Sequence, residues 1–186
     1  MEDFDEDKYG KETWGEGPWQ HEPDNAEWVD PATGLQCLIK RNSQITGALC
    51  GYVGVPASSK LYGLDYWGRL NGWRKIARPV ATKTKRDSKR RIKARDRHYG
   101  LLINGICVHG GLTFGDFWDE GGLWYFGFDC AHYRDYSPAI AATMRSLMPK
   151  SHTYSGSDEV YRDFAFVTEQ TKALAAQLYQ AGQSRG

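Results

Sequence analysis

No apolar run in this 186-residue chain approaches the roughly 20 residues that a membrane-spanning helix needs. The four cysteines, Cys37, Cys50, Cys107 and Cys130, form no C-x-x-C pair, so the spacing of a zinc ribbon is missing. No glycine loop is followed by Lys-Ser or Lys-Thr, which argues against a P-loop nucleotidase. There is no internal repeat and no sustained heptad, which argues against solenoids and coiled coils. The start, M-E-D-F-D-E-D, lacks the basic-then-apolar layout of a secretory signal. The expectation is a cytoplasmic protein without a membrane partner, whose thiols stay reduced.

What is present is globular in kind. Apolar residues make up 40% and aromatics 13%, enough to fill a core and too much for a disordered chain. The net charge of +1 hides a strong asymmetry. Residues 1–30 carry eleven Asp or Glu against two lysines, while residues 74–97 carry twelve Lys or Arg against two Asp. Residues 1–13 read as a disordered acidic start. Residues 14–182 read as one domain interrupted by a basic insertion at 74–97, a mobile loop or exposed helix. That insertion is either a solvated arm or a candidate nucleic-acid contact.

Residues 14–34 are rich in Pro, Gly and Trp and read as an irregular segment pinned by Trp14, Trp19 and Trp28. Residues 35–40 and 48–56 read as a hairpin, ended by Pro56, which cannot donate to a ladder. Residues 57–73 read as an aromatic loop. Residues 101–108 and 123–128 read as a third and fourth strand joined by a loop at 115–122. Ser137-Pro138 opens a helix by placing proline at its first position. The spacing predicts a last helix over 158–180, capped by Ser157, with Val160, Phe164, Val167, Leu174 and Leu178 on its apolar face. Strands followed by helices predict an α+β fold: a single domain with a mostly antiparallel sheet, long aromatic loops and C-terminal helices.

Two strand-like runs end in polar clusters. One leads to His109-Gly110-Gly111, the other to Asp129-Cys130-Ala131-His132 with Asp135 beyond. Histidine near neutral pH serves as acid, base or ligand. The glycines allow close backbone approach and offer N–H groups to a phosphate. On an extended chain Cys130 and His132 share one side, so Cys130 is a candidate nucleophile or metal ligand, or simply a small buried hydrophobe. Asp129 and Asp135 would orient the imidazoles or activate water. The candidate catalytic set is His109, His132, Asp129, Asp135 and Cys130. The candidate ligand-binding set is Gly110, Gly111, Thr113, Trp124, Arg134 and Tyr62. A divalent metal is a candidate cofactor, with Cys130 and His132 as ligands and His109 with Cys107 or Asp135 completing the shell. Tyr133 and other loop aromatics offer faces on which a base could stack.

The stretches G-P-W-Q-H-E-P-D (17–24), T-G-L-Q-C-L-I (33–39), A-L-C-G-Y-V-G-V-P (48–56), V-H-G-G-L-T-F (108–114) and W-Y-F-G-F-D-C-A-H (124–132) resemble an uncharacterised family of small proteins encoded by bacteriophages and prophages. The resemblance spans most of the chain outside 64–105 and the acidic start. It implies a phage origin and residence in the cytoplasm of an infected bacterium. It implies no mechanism. Phage proteins of this size often counter host defence, and many defence systems signal with nucleotides. The resulting expectation is a nucleotide-directed hydrolase or phosphodiesterase, with a nucleotide or cyclic nucleotide as partner. The alternatives are a non-catalytic nucleotide sponge, or an inhibitor or nucleic-acid binder acting through 74–97.

Overall fold

The computed structural model describes residues 10–66, 105–117, 122–147 and 158–183. Residues 1–9, the basic segment 74–97 and Ser157 lie outside them. Five strands form one antiparallel sheet: β1 (Asn25–Val29), β2 (Gln36–Arg41), β3 (Leu49–Val55), β4 (Phe114–Phe117) and β5 (Trp124–Asp129), in the order β1-β2-β3-β5-β4. Two helices complete the α+β fold, α1 (Pro138–Leu147) and α2 (Phe164–Gln183). Among the described residues, no helix is long and apolar enough to cross a membrane.

Sheet register explains the core. Ile39 faces Gly51, which faces Phe128; Cys37 faces Val53, which faces Phe126; Val55 faces Trp124. Directly opposed residues share a face of the pleat, so these side chains build one apolar surface. Val167, Leu174 and Leu178 of α2 cover it, and all three are fully buried. Phe126 and Phe128 are equally buried, each burial being worth about 1.5–3 kcal/mol. Gly51 lets the helix come close: a Cβ there would lie 2.3 Å from Thr171 Oγ1 and 2.6 Å from the Phe128 ring. A satellite cluster of Trp14, Trp19 and Ala139 packs beside it with Tyr136 and Tyr161.

Several sequence expectations need correction. Residues 105–108 are not a strand, and β4 lies instead at 114–117, where a loop was expected. The backbone around Cys107 is held by side chains of α2 rather than by a neighbouring strand. Gln177 accepts from the Cys107 N–H at 2.7 Å and donates to its carbonyl at 2.9 Å; Gln170 accepts from the His109 N–H at 3.0 Å. Asn25–Val29, read as irregular, is an edge strand whose Ala26 and Trp28 pack on the core while Asn25, Glu27 and Val29 are exposed. Order begins before residue 14, since Lys11–Trp14 forms a 3₁₀ turn. The last helix starts at Phe164, not 158. Asp163 caps it through a bond from the Phe166 N–H at 2.8 Å, and Glu22 accepts the Phe164 N–H at 3.0 Å. Val160 therefore leaves the helical face and bridges Asp135 in parallel.

The residues of the N-terminal segment are tied to the rest by Arg41, whose side chain is only 1% exposed. Its guanidinium donates to Asp24 at 2.6 Å, Glu22 at 3.1 Å, the Gly47 carbonyl at 3.0 Å and the Tyr161 hydroxyl at 2.8 Å. Tyr161 in turn donates to Glu22 at 2.6 Å. Burial opposes the charge on Arg41, but the bonds to Tyr161, Asp24 and Glu22 outweigh it and hold its pKa above the ordinary value.

Candidate functional site

Three chain passes converge at the end of the sheet where β5 stops. The first is the turn Val108–Gly111, closed by the Gly111 N–H on the Val108 carbonyl at 3.0 Å. The second is the turn His132–Asp135, closed by the Asp135 N–H on the His132 carbonyl at 2.9 Å. The third is the extended run before α2, which delivers Arg162. The backbone after β5 bends because the Asp129 carboxylate accepts the Ala131 N–H at 3.0 Å.

Asp135 is the hub. Its side chain is 1% exposed. Oδ2 accepts from His109 Nε2 at 2.6 Å and from the His132 backbone N–H at 3.0 Å; Oδ1 accepts from Arg162 Nε at 2.8 Å. A carboxylate only accepts, so His109 carries its proton on Nε2 and leaves Nδ1 for other work. The His109 and His132 ring centroids are 5.6 Å apart. Phe166 meets the His109 ring edge-on at 5.3 Å, and the Arg162 guanidinium lies 5.0 Å from the Phe166 centroid. Arg162 commits only Nε to Asp135; its two terminal nitrogens have no partner among the described residues.

His132 packs on the backbone of the facing turn. Gly110 has φ +66°, and a Cβ there would stand 1.8 Å from His132 Nε2. Only glycine satisfies both demands. Nε2 of His132 is buried without a hydrogen-bond partner among the described residues; Asp129 Oδ1 is 3.6 Å away, beyond bonding reach.

Burial alone would favour a neutral Asp135. The His109 and Arg162 bonds and the His132 N–H outweigh it, so the carboxyl sits below its ordinary value. A lowered native pKa stabilises the fold above the unfolded pKa, about 3.9 for Asp, and that contribution is lost as pH falls through the native value. Stability measured by denaturant titration is therefore expected to drop as the solution is acidified below about pH 4. Asp135→Asn should show a shallower acid dependence; an identical slope would remove Asp135 from the account.

The structure brings His109, His132, Asp129, Asp135 and Gly110 together, with Arg134 on the adjoining turn. The other sequence candidates have different surroundings. Cys130 is 1% exposed and belongs to the core, because the bend after Asp129 breaks the alternation that would have aligned it with His132. Burial, then the carboxylate of Asp135, push its thiol up, which is wrong for a nucleophile. The Gly111 N–H is spent on the Val108 carbonyl and is not available to a phosphate. Thr113 is exposed and extends the β4–β5 ladder through its N–H to the Gly127 carbonyl at 2.9 Å. Trp124 is fully buried, its indole N–H on the Leu64 carbonyl at 2.7 Å. Tyr62 is half-buried and packs on Phe117 and Trp124. Among the described residues no group of three His, Cys, Asp or Glu side chains is arranged to hold a metal ion.

Sequence reasoning missed Arg162, which carried no motif, and the pair Gln170 and Gln177. Their seven-residue spacing put polar side chains beside an apolar helix face, which was the available signal. A cavity of about 430 Å³ opens at the other end of the sheet, between Thr33–Gln36, Pro56, Ser58, Ser59 and the last turns of α2. Among the described residues no charged side chain lines it, so the acid–base groups and the cavity are separate features.

The thiols give a direct check on this placement. Burial pushes Cys50 up to about 11 and Cys37 up to about 12, and raises Cys130 as well; Cys107 alone is exposed. An excess of a thiol reagent at about pH 8 is expected to label one cysteine quickly, Cys107, and the other three only on unfolding. Rapid labelling of Cys130, read by peptide mass mapping, would contradict its burial.

In comparisons with family models, curated proteins and solved structures, nothing matches this chain.

Proposed function

We propose that this chain is a nucleotide-directed phosphodiesterase that uses its two imidazoles as an acid–base pair. The observation that carries the reading is the His109–His132 pair, 5.6 Å between centroids, with His109 oriented by a buried carboxylate. Hydrolysis of a phosphodiester asks for one group to take a proton from water and another to give one to the departing oxygen. Asp135 holds His109 in the tautomer that leaves Nδ1 free, and it stabilises the imidazolium formed when His109 takes the proton of water. His132 supplies the proton to the leaving oxygen. The terminal nitrogens of Arg162, which hydrogen-bond to none of the described residues, meet the charge on the phosphoryl oxygens. This places the anion-binding role on Arg162 rather than on Gly111. The resemblance to phage and prophage proteins supports a host signalling nucleotide as the substrate.

A second reading, retention of the nucleotide without turnover, draws on one observation. His132 Nε2 is covered by the Gly110 turn, so one of the two imidazoles does not offer that nitrogen to solvent. The test is incubation of the pure chain with linear and cyclic dinucleotides, with and without divalent metals, followed by chromatography of the products. Mononucleotide release supports catalysis. Ligand bound tightly and recovered intact across the whole panel would transfer support to retention.

A further inference from the structure

The two turns that frame the imidazoles share one backbone feature and differ in the residue that supplies it. Each needs a positive φ at its third residue. In Val108–Gly111 that residue is Gly110, at +66°; in His132–Asp135 it is Arg134, at +71°. Arg134 is the non-glycine residue with positive φ among the described residues. Glycine or asparagine is the usual occupant of such a position, and an arginine there is strained.

Among the described residues, nothing calls for its side chain. The Arg134 carbonyl accepts the Val160 N–H at 2.8 Å, a bond that any residue would provide. Among the described residues the guanidinium makes one contact, over the Tyr133 ring at 5.7 Å from its centroid, near the outer limit of about 6 Å for a cation–π pair. Tyr133 itself is 91% exposed, the most open large hydrophobic residue among the described residues. A bare aromatic ring and a strained, loosely held arginine thus stand beside His132 and contribute nothing to the core.

We infer that Tyr133 and Arg134 form the base-recognition element of this site and that its substrates are guanine nucleotides. The inference rests on the phosphodiesterase reading for the place of the phosphate, at Arg162. Tyr133 offers the stacking face, which the loosely placed guanidinium gives up to the base. Arg134 then turns to the edge of the base. Its fork holds only donors, so it matches an edge with two acceptors; guanine has O6 and N7, whereas adenine pairs an acceptor with a donor. A strained backbone is retained at the turn because it aims this side chain.

Calorimetry on the full chain with GMP, AMP, CMP and inorganic phosphate tests this. GMP is expected to bind at least about tenfold more tightly than CMP. Tyr133→Ala should weaken GMP by about tenfold or more and leave inorganic phosphate unchanged. Arg134→Gly should bring GMP and AMP to equal affinity while raising the melting temperature, a combination that a purely structural arginine would not give. Equal affinity of the unsubstituted chain for GMP and CMP, no GMP binding at all, or full GMP affinity in Tyr133→Ala would each overturn the inference. The two readings fail separately. If dinucleotides are cleaved, and cleaved equally by Tyr133→Ala, recognition is lost and catalysis stands. If GMP binding follows Tyr133 and no substrate is cleaved, recognition stands and catalysis is lost.

Discussion

Arg41→Ala is expected to destabilise the chain by about 3–5 kcal/mol, the range seen when one partner of a buried charge network is removed. For a chain of this size that amounts to a fall in melting temperature of about 10 °C or more. The cause is not the loss of one ion pair. The guanidinium is 1% exposed and serves Asp24, Glu22, the Gly47 carbonyl and the Tyr161 hydroxyl together. Without it, Glu22 and Tyr161 keep their partly buried oxygens and lose their shared donor. Glu22 also caps α2 through the Phe164 N–H, so the damage reaches the helix. Arg41→Lys should recover only part of the loss, because an ammonium has no planar fork with which to reach four acceptors. Urea titration of the three proteins decides the matter. A midpoint for Arg41→Ala within experimental error of the parent would show that the network contributes nothing net.

The second large effect concerns the turnover proposed above. On the phosphodiesterase reading, His109→Ala is expected to lower the rate of phosphodiester cleavage by about 10²- to 10⁴-fold, the usual worth of a positioned acid or base. His132→Ala should do the same, and the double variant should cost little more than either single one, because groups that act as a unit are not additive. His109 is 19% exposed and meets Phe166, so its removal also leaves a small void. His109→Gln keeps most of the volume and can still donate to Asp135. It should fold like the parent and remain inactive. Parent-like cleavage by His109→Gln would end the acid–base assignment.

The parts of the fold legible in the sequence were those with a strong period or a clear stop. β2, β3 and β5 are apolar runs, and Pro138 marks the start of α1. The failures share a physical cause: backbone partners supplied by distant side chains. Residues 105–108 look like a strand because Ile106 and Val108 alternate, yet the Cys107 and His109 backbones are bonded by Gln177 and Gln170 of a helix more than 60 residues away. α2 looks longer because Val160 fits its period, but the parallel bridge to Asp135 pulls that residue into an extended run. The site was legible in outline, since H-G-G and D-C-A-H do meet. Two of its details were not. Alternation along an extended chain placed Cys130 beside His132, and one Asx-type bond at Asp129 cancelled it. Arg162 had no local signature, because its role comes from a carboxylate 27 positions earlier in the chain.

The clamp of Cys107 by Gln177 spans 70 positions, and Glu22 reaches Phe164 across 142. A nascent chain still held at the ribosome before its final helix emerges therefore has neither clamp in place. At about 5–20 residues per second, translation must supply the whole of α2 before both clamps close and the imidazoles are fixed. A chain cut short before α2 would therefore lack both clamps and leave the His109 turn unfastened.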